Sequence, residues 1–238
     1  MKRAGRFAPE TRFQVSIPTP LMLSTPFVDA SNGVIAAHER AVFSEIRDFV
    51  GAVPAEELAL QWDFAGEIVN AELARQEKSF FVGGAQPPSL DEGVAALQRA
   101  CEAVPDGVEL GIHCCFGDPG GKHIVEPLDA AIPVQAINGL LASTSRGIDW
   151  VHVPVPIERD DPAYFEPLKQ LRGMDRTLLV LGLIHQEDGV EGARRRMAAA
   201  RSAVSVQYGV ATECGLGRID PQIIPELLDL HKQVSELT

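Results

Sequence analysis

The chain has 238 residues, 45% of them hydrophobic and 23% charged, enough to bury one large core in the manner of an ordinary soluble globular protein. A formal net charge of −12 excludes a track for nucleic-acid phosphates and an attraction to anionic membrane surfaces. No apolar run approaches the roughly 18 residues that cross a bilayer, and the basic start Met1-Lys2-Arg3-Ala4-Gly5-Arg6 leads into no signal-like apolar core. Four cysteines, two of them adjacent, do not resemble a disulfide framework. They suit a reducing compartment, with the cytoplasm expected and thiols free for metal or catalysis.

Residues 1–12 read as an N-terminal arm and 13–238 as one domain of alternating strands and helices. Phe13–Ile17 is a first strand, stopped by Pro18-Thr19-Pro20. Residues 33–50 carry apolar positions at helical spacing, from Val34 to Phe49. Leu58–Phe64 is a second strand, with Asp63 near its end. A loop containing Gly83-Gly84 and Pro87-Pro88 precedes Ser89, a helix cap with Glu92 three residues on, and that helix runs to about Val104. Val108–Ile112 is a third strand leading into His113-Cys114-Cys115 and the glycines of 117–121. Pro127–Arg146 is a helix despite Pro133. Trp150–Val153 is a fourth strand halted by Pro154, Thr177–Ile184 a fifth with His185 at its end, and Val190–Ala203 an arginine-rich helix. Tyr208–Cys214 is a sixth strand and Pro221–Leu237 a closing helix.

Strands separated by helices imply a parallel sheet covered on both faces. Polar residues gather at the strands' C-terminal ends: Asp63, His113, Cys115, His152, His185 and Cys214. Barrels and doubly wound sheets place their sites there. No Gly-x-Gly-x-x-Gly follows the first strand and no Walker loop is present, which argues against nucleotide binding. Alternation along the third strand puts His113 and Cys115 on one face and Cys114 on the other, so an imidazole and a thiolate can share a metal. Cys214, in Ala211-Thr212-Glu213-Cys214-Gly215-Leu216-Gly217, is the third candidate.

These segments, in this order, resemble the cobalamin-independent methionine synthase group within the uroporphyrinogen decarboxylase/methionine synthase-like barrels. The chain looks like the C-terminal catalytic barrel of those enzymes over about residues 12–235. That family takes zinc ligands from a His-x-Cys at one strand end, a Glu on the next strand, and a Cys before Gly-Leu on the last. His113-Cys114-Cys115 matches the first motif and Cys214-Gly215-Leu216 the last. Gln61-Trp62-Asp63 resembles the strand whose Asp holds the substrate amino group, and His185 falls where the family has a histidine of proton transfer. Pro154 stands where the family's Glu ligand belongs. His152, on the same face, is the most economical replacement, with Glu126 and Glu158 less well placed. The family's first two βα units have no counterpart, so the six strands correspond to the third through eighth of a TIM-barrel-like (β/α) fold. The expected fold is therefore α/β with parallel strands and an incomplete barrel of about six units.

The resemblance implies a zinc-dependent methyl transfer to a thiol, with His113, Cys115, Cys214 and His152 as ligands. His185 is then the general acid, and Asp63 and Asp118 bind substrate. The implied partners are a small-molecule thiol acceptor, homocysteine-like, and a 5-methyltetrahydrofolate-type methyl donor; no nucleic acid or membrane is involved. Two other classes stand beside this one: a metal-free decarboxylase or lyase of the same superfamily, and a non-catalytic remnant that binds a metal or a partner. Each residue also has a plainer reading. Asp63 can cap a helix, His152 can be a core histidine, His185 a hydrogen-bonded loop residue, and Arg194-Arg195-Arg196 a solvated helix face. Trp62 and Trp150 read as core, Cys114 and Cys101 as small buried hydrophobes. A six-stranded sheet has two open edges and a gap expected to bare apolar side chains, which a homodimer would shield.

Overall fold

The computed structural model describes residues 2–5, 7–21, 33–78 and 87–238; the Gly83-Gly84 turn lies outside them. Six strands, β1 (Phe13–Pro18), β2 (Leu58–Phe64), β3 (Glu109–Cys114), β4 (Trp150–Pro154), β5 (Leu178–Ile184) and β6 (Tyr208–Thr212), form one sheet in sequential order. Every neighbouring pair is parallel. Seven α-helices occur among the described residues: α1 (Val34–Ala52), α2 (Gly66–Arg75), α3 (Leu90–Glu102), α4 (Ala131–Ser143), α5 (Pro162–Phe165), α6 (Gly189–Ala200) and α7 (Ile224–Ser235). The architecture is a TIM-barrel-like sheet left open between β1 and β6. None of the described helices is long and apolar enough to cross a membrane.

Local sequence explains the element ends. Ser89 caps α3 by accepting from the Glu92 N–H, and the Glu92 carboxylate accepts from the Ser89 N–H, a reciprocal capping box. Pro133 is the third residue of α4, where its missing N–H removes no intrahelical bond. Sequence periodicity did not single out α2, which follows β2 directly. Its N-cap is Ala65, so Asp63 does not cap it. The arginine run on α6 divides. Arg194 and Arg195 are exposed, but Arg196 is fully buried, donating to the Leu183 and Ile157 carbonyls and to both Asp188 oxygens. The expected solvated face thus holds for two of the three, because the third lies one step round the helix toward the sheet.

The sheet's two faces differ. Leu60, Trp62, Leu110, Ile112, Val151, Leu179 and Leu181 turn toward the helices and are at most 1% exposed. Burying each such aliphatic side chain contributes roughly 1.5–3 kcal/mol. Residues paired across a parallel ladder share a face, so the other face can be read in rows. One row runs Ser16, Gln61, Gly111, Trp150, Leu178, and the next Pro18, Asp63, His113, His152, Val180, Gly209. The concave side is thus mostly polar or small, and the gap does not bare a stripe of apolar core residues as expected. Leu178, 46% exposed, is the exception.

Candidate metal centre and flanking cavities

Asp63, His113 and His152 stand side by side at one level of the sheet, each on its own strand. Cys115 lies just past β3, and its N–H still donates to the Phe64 carbonyl at 3.0 Å, which carries the strand's alternation one residue further. Cys115 therefore shares the His113 face while Cys114 is fully buried on the opposite one. Cys214 sits two residues beyond β6. A ring nitrogen of His113 and the sulfurs of Cys115 and Cys214 all lie within 4.8 Å of one another. In a flat sheet β3 and β6 would stand about 14 Å apart, three strand spacings. Curvature of the sheet brings the three groups together.

The donor set suits a metal. Both ring nitrogens of His113 are buried without a hydrogen-bond partner among the described residues. Two sulfurs and one imidazole form a zinc-type set, whose tetrahedral donors stand about 3.5–3.8 Å apart. The two thiols are driven in opposite directions. Cys214 is pulled well below the usual thiol range because the Cys115 thiol donates to it, against burial, with further help from His113 and the Gly215 N–H. The same contact, with burial, pushes Cys115 up. Cys101 and Cys114 are raised to about 12 by burial, as inert buried thiols are.

His152 stacks on His113 with ring centroids 4.6 Å apart, and it stands outside the group of three. Burial holds it neutral, aided by the charge of His113. Gly182 makes room for it, since a Cβ there would lie 2.6 Å from the His152 Nε2. Asp63 accepts from the Gln61 amide at 3.0 Å, and burial raises its pKa against the opposing pull of His113. Asp118 is paired with Arg218 at 2.9 Å and is raised chiefly by burial. Glu126 and Glu158 also lie outside the group of three.

His185 is anchored through Nε2 on the Val155 carbonyl at 2.8 Å, with Nδ1 3.9 Å from Glu213. Glu213 also meets the Nε2 of His123 at 3.0 Å, and Glu126 meets the other nitrogen of that ring at 3.1 Å. Burial opposes charge on His123, but the two carboxylates outweigh it and raise its pKa to about 9. Sequence reasoning passed over both His123 and Glu213. The only signal for Glu213 was its place beside Cys214; His123 sits in an irregular loop that offers no period to read.

Two cavities of about 600 Å³ each meet at this centre. The strand-end cleft is bordered by Cys115, His123, His185, Glu213 and Cys214. The groove along the concave sheet is bordered by Gln61, His113, Trp150, His152 and Cys214. Trp150 therefore lines a cavity, while Trp62 alone is core.

Fold and centre together describe an open barrel-type α/β protein with a His/Cys/Cys group at its strand ends. Among solved structures, the chain is similar to a protein from Listeria monocytogenes assigned as a vitamin-B12-independent methionine synthase, at 19% identity and a TM-score of 0.57. The match covers 93% of this chain and 63% of that one, so the chain spans less than two thirds of its neighbour's length. At this identity the likeness is one of fold. No family model and no curated protein matches the sequence.

Proposed function

We propose that the chain is a zinc-dependent methyltransferase acting on a thiol, similar in chemistry to the methionine synthases. One observation carries the reading: His113, Cys115 and Cys214, from opposite parts of the sheet, converge within 4.8 Å. These three residues would hold the ion, with His152 or a small molecule as fourth partner. Zinc supplies Lewis acidity that lowers the pKa of an incoming thiol.

The chain's own groups account for the rest. In the transfer, the acceptor's S–H proton leaves, an S–CH₃ bond forms, and the donor's bond to the methyl group breaks. The leaving atom then takes a proton. His185 is the candidate donor of that proton, because its Nε2 is fixed on the Val155 carbonyl and its Nδ1 faces the Glu213 carboxylate. Asp63, with Gln61 holding one oxygen, and Asp118 are placed to receive an amino group of the acceptor. Folate-type donor and homocysteine-like acceptor remain part of this proposal, supported by the neighbour's name and the sequence motifs.

Elemental analysis of the purified chain, before and after chelation, tests the metal. About one zinc per chain, with thiol methylation lost on chelation and restored by zinc, is the expected result. A chain that takes up no zinc would leave the second reading, a non-catalytic partner-binding remnant, which the open wall between β1 and β6 favours.

A further inference from the structure

The groove along the concave sheet has features that metal binding does not require. Closed barrels fill their inward positions with layers of bulky branched side chains. Here the corresponding positions include Ser16, Gln61, Gly111 and Gly209, and a cavity of about 600 Å³ remains. Gly111 is part of its construction, since a Cβ there would fall 1.8 Å from the Trp150 ring. The indole thus lies across the β3 backbone and lines the groove.

The charges at the groove's lower end are already engaged. Arg12 is 3.1 Å from Glu109 and donates to the carbonyls of Ala55, Leu58 and Gly107. Asp149 accepts the Leu110 N–H at 2.7 Å. Between that end and the metal centre the polar groups are neutral and loosely bonded. Gln61 accepts from the Trp150 Nε1 at 3.3 Å and donates to Ser16 at 3.4 Å, and Gln14 donates to Ser16 at 3.3 Å. Such long contacts are weak and readily exchanged for a ligand's.

We propose that this groove is a binding site for an uncharged planar ring with an amide-type edge, lying against Trp150 and hydrogen-bonded by Gln61 and Ser16. Stacking on the indole supplies affinity without demanding one particular ring. A side-chain amide both donates and accepts, so it pairs with the C(=O)–N–H edge of such a ring. A charged ring would lose water with no free counter-charge to meet it. The site does not depend on zinc, because none of these contacts involves the three ligand residues.

The two tryptophans make the test direct, since Trp62 is fully buried on the helix side. Nicotinamide, uracil and hypoxanthine are titrated into the metal-free chain while tryptophan emission is read, with benzoate and benzylamine as charged rings of similar size. Saturable quenching by at least one neutral ring, at least tenfold tighter than by either charged ring, is expected. It should vanish in Trp150→Phe and weaken at least tenfold in Gln61→Leu; Ser16→Val, a milder change, should weaken it about threefold and serves if Gln61→Leu fails to fold. No saturation with any of the three, equal binding of the charged rings, or unchanged affinity in the folded variants overturns the proposal. Zinc content is measured on the same preparations, so loss of the metal reading and loss of the groove reading are told apart.

Discussion

The same six strands present two faces with opposite chemistry. On β2, Leu60 and Trp62 are sealed under the helices, while Gln61 and Asp63 between and beyond them face the groove. On β4, Val151 is sealed and Trp150 and His152 face inward. A period of two places a stabilising residue and a functional residue next to each other in sequence but on different sides of the sheet. The helix face holds the fold together. The groove face is free to carry groups that would be costly in a core.

Metal binding separates the two faces most sharply. Cys115→Ser and Cys214→Ser should abolish stoichiometric zinc, while Cys114→Ser keeps it, because Cys114 points to the helix side. Equal loss in all three, by elemental analysis, would mean that the alternation fails at the end of β3.

Stability should divide the faces in the other direction. Leu60→Ala removes a fully buried side chain and is expected to cost about 2–5 kcal/mol in urea unfolding. Ser16→Ala on the groove face should change stability by no more than about 0.5 kcal/mol. Similar costs at both positions would show the groove face to be core after all.

A third effect belongs to the strand-end cleft. The His123 pKa is raised to about 9 by its carboxylates, which overcome burial. A group raised in the folded state adds stability that is fully present below its unfolded pKa of about 6.5 and is lost as pH climbs through about 9. The loss should be at most about 3 kcal/mol between pH 6 and pH 10. It is read as the difference between wild type and His123→Gln in urea melts at the two pH values; a difference that does not shrink with rising pH would break the assignment.

Much of this was legible in the sequence. The six strands and their order follow from apolar runs punctuated by proline and glycine, and the Ser89 cap from its Glu92 partner. The shared face of His113 and Cys115 follows from alternation alone. Even the place of Trp150 could have been read there, since two positions before His152 it must share that residue's face. What distance along the chain could not supply was the approach of Cys214 to His113. Their strands are separated by two others, and only the curl of the sheet, a sum of small twists between neighbours, closes the gap. The meeting of His123, Glu213 and His185 was likewise decided in three dimensions. It joins a loop after β3 to the ends of β5 and β6, and no local period records such a contact. The polar groove has the same origin: alternation names its residues, but their neighbours across the strands depend on register and curvature, which tertiary packing sets.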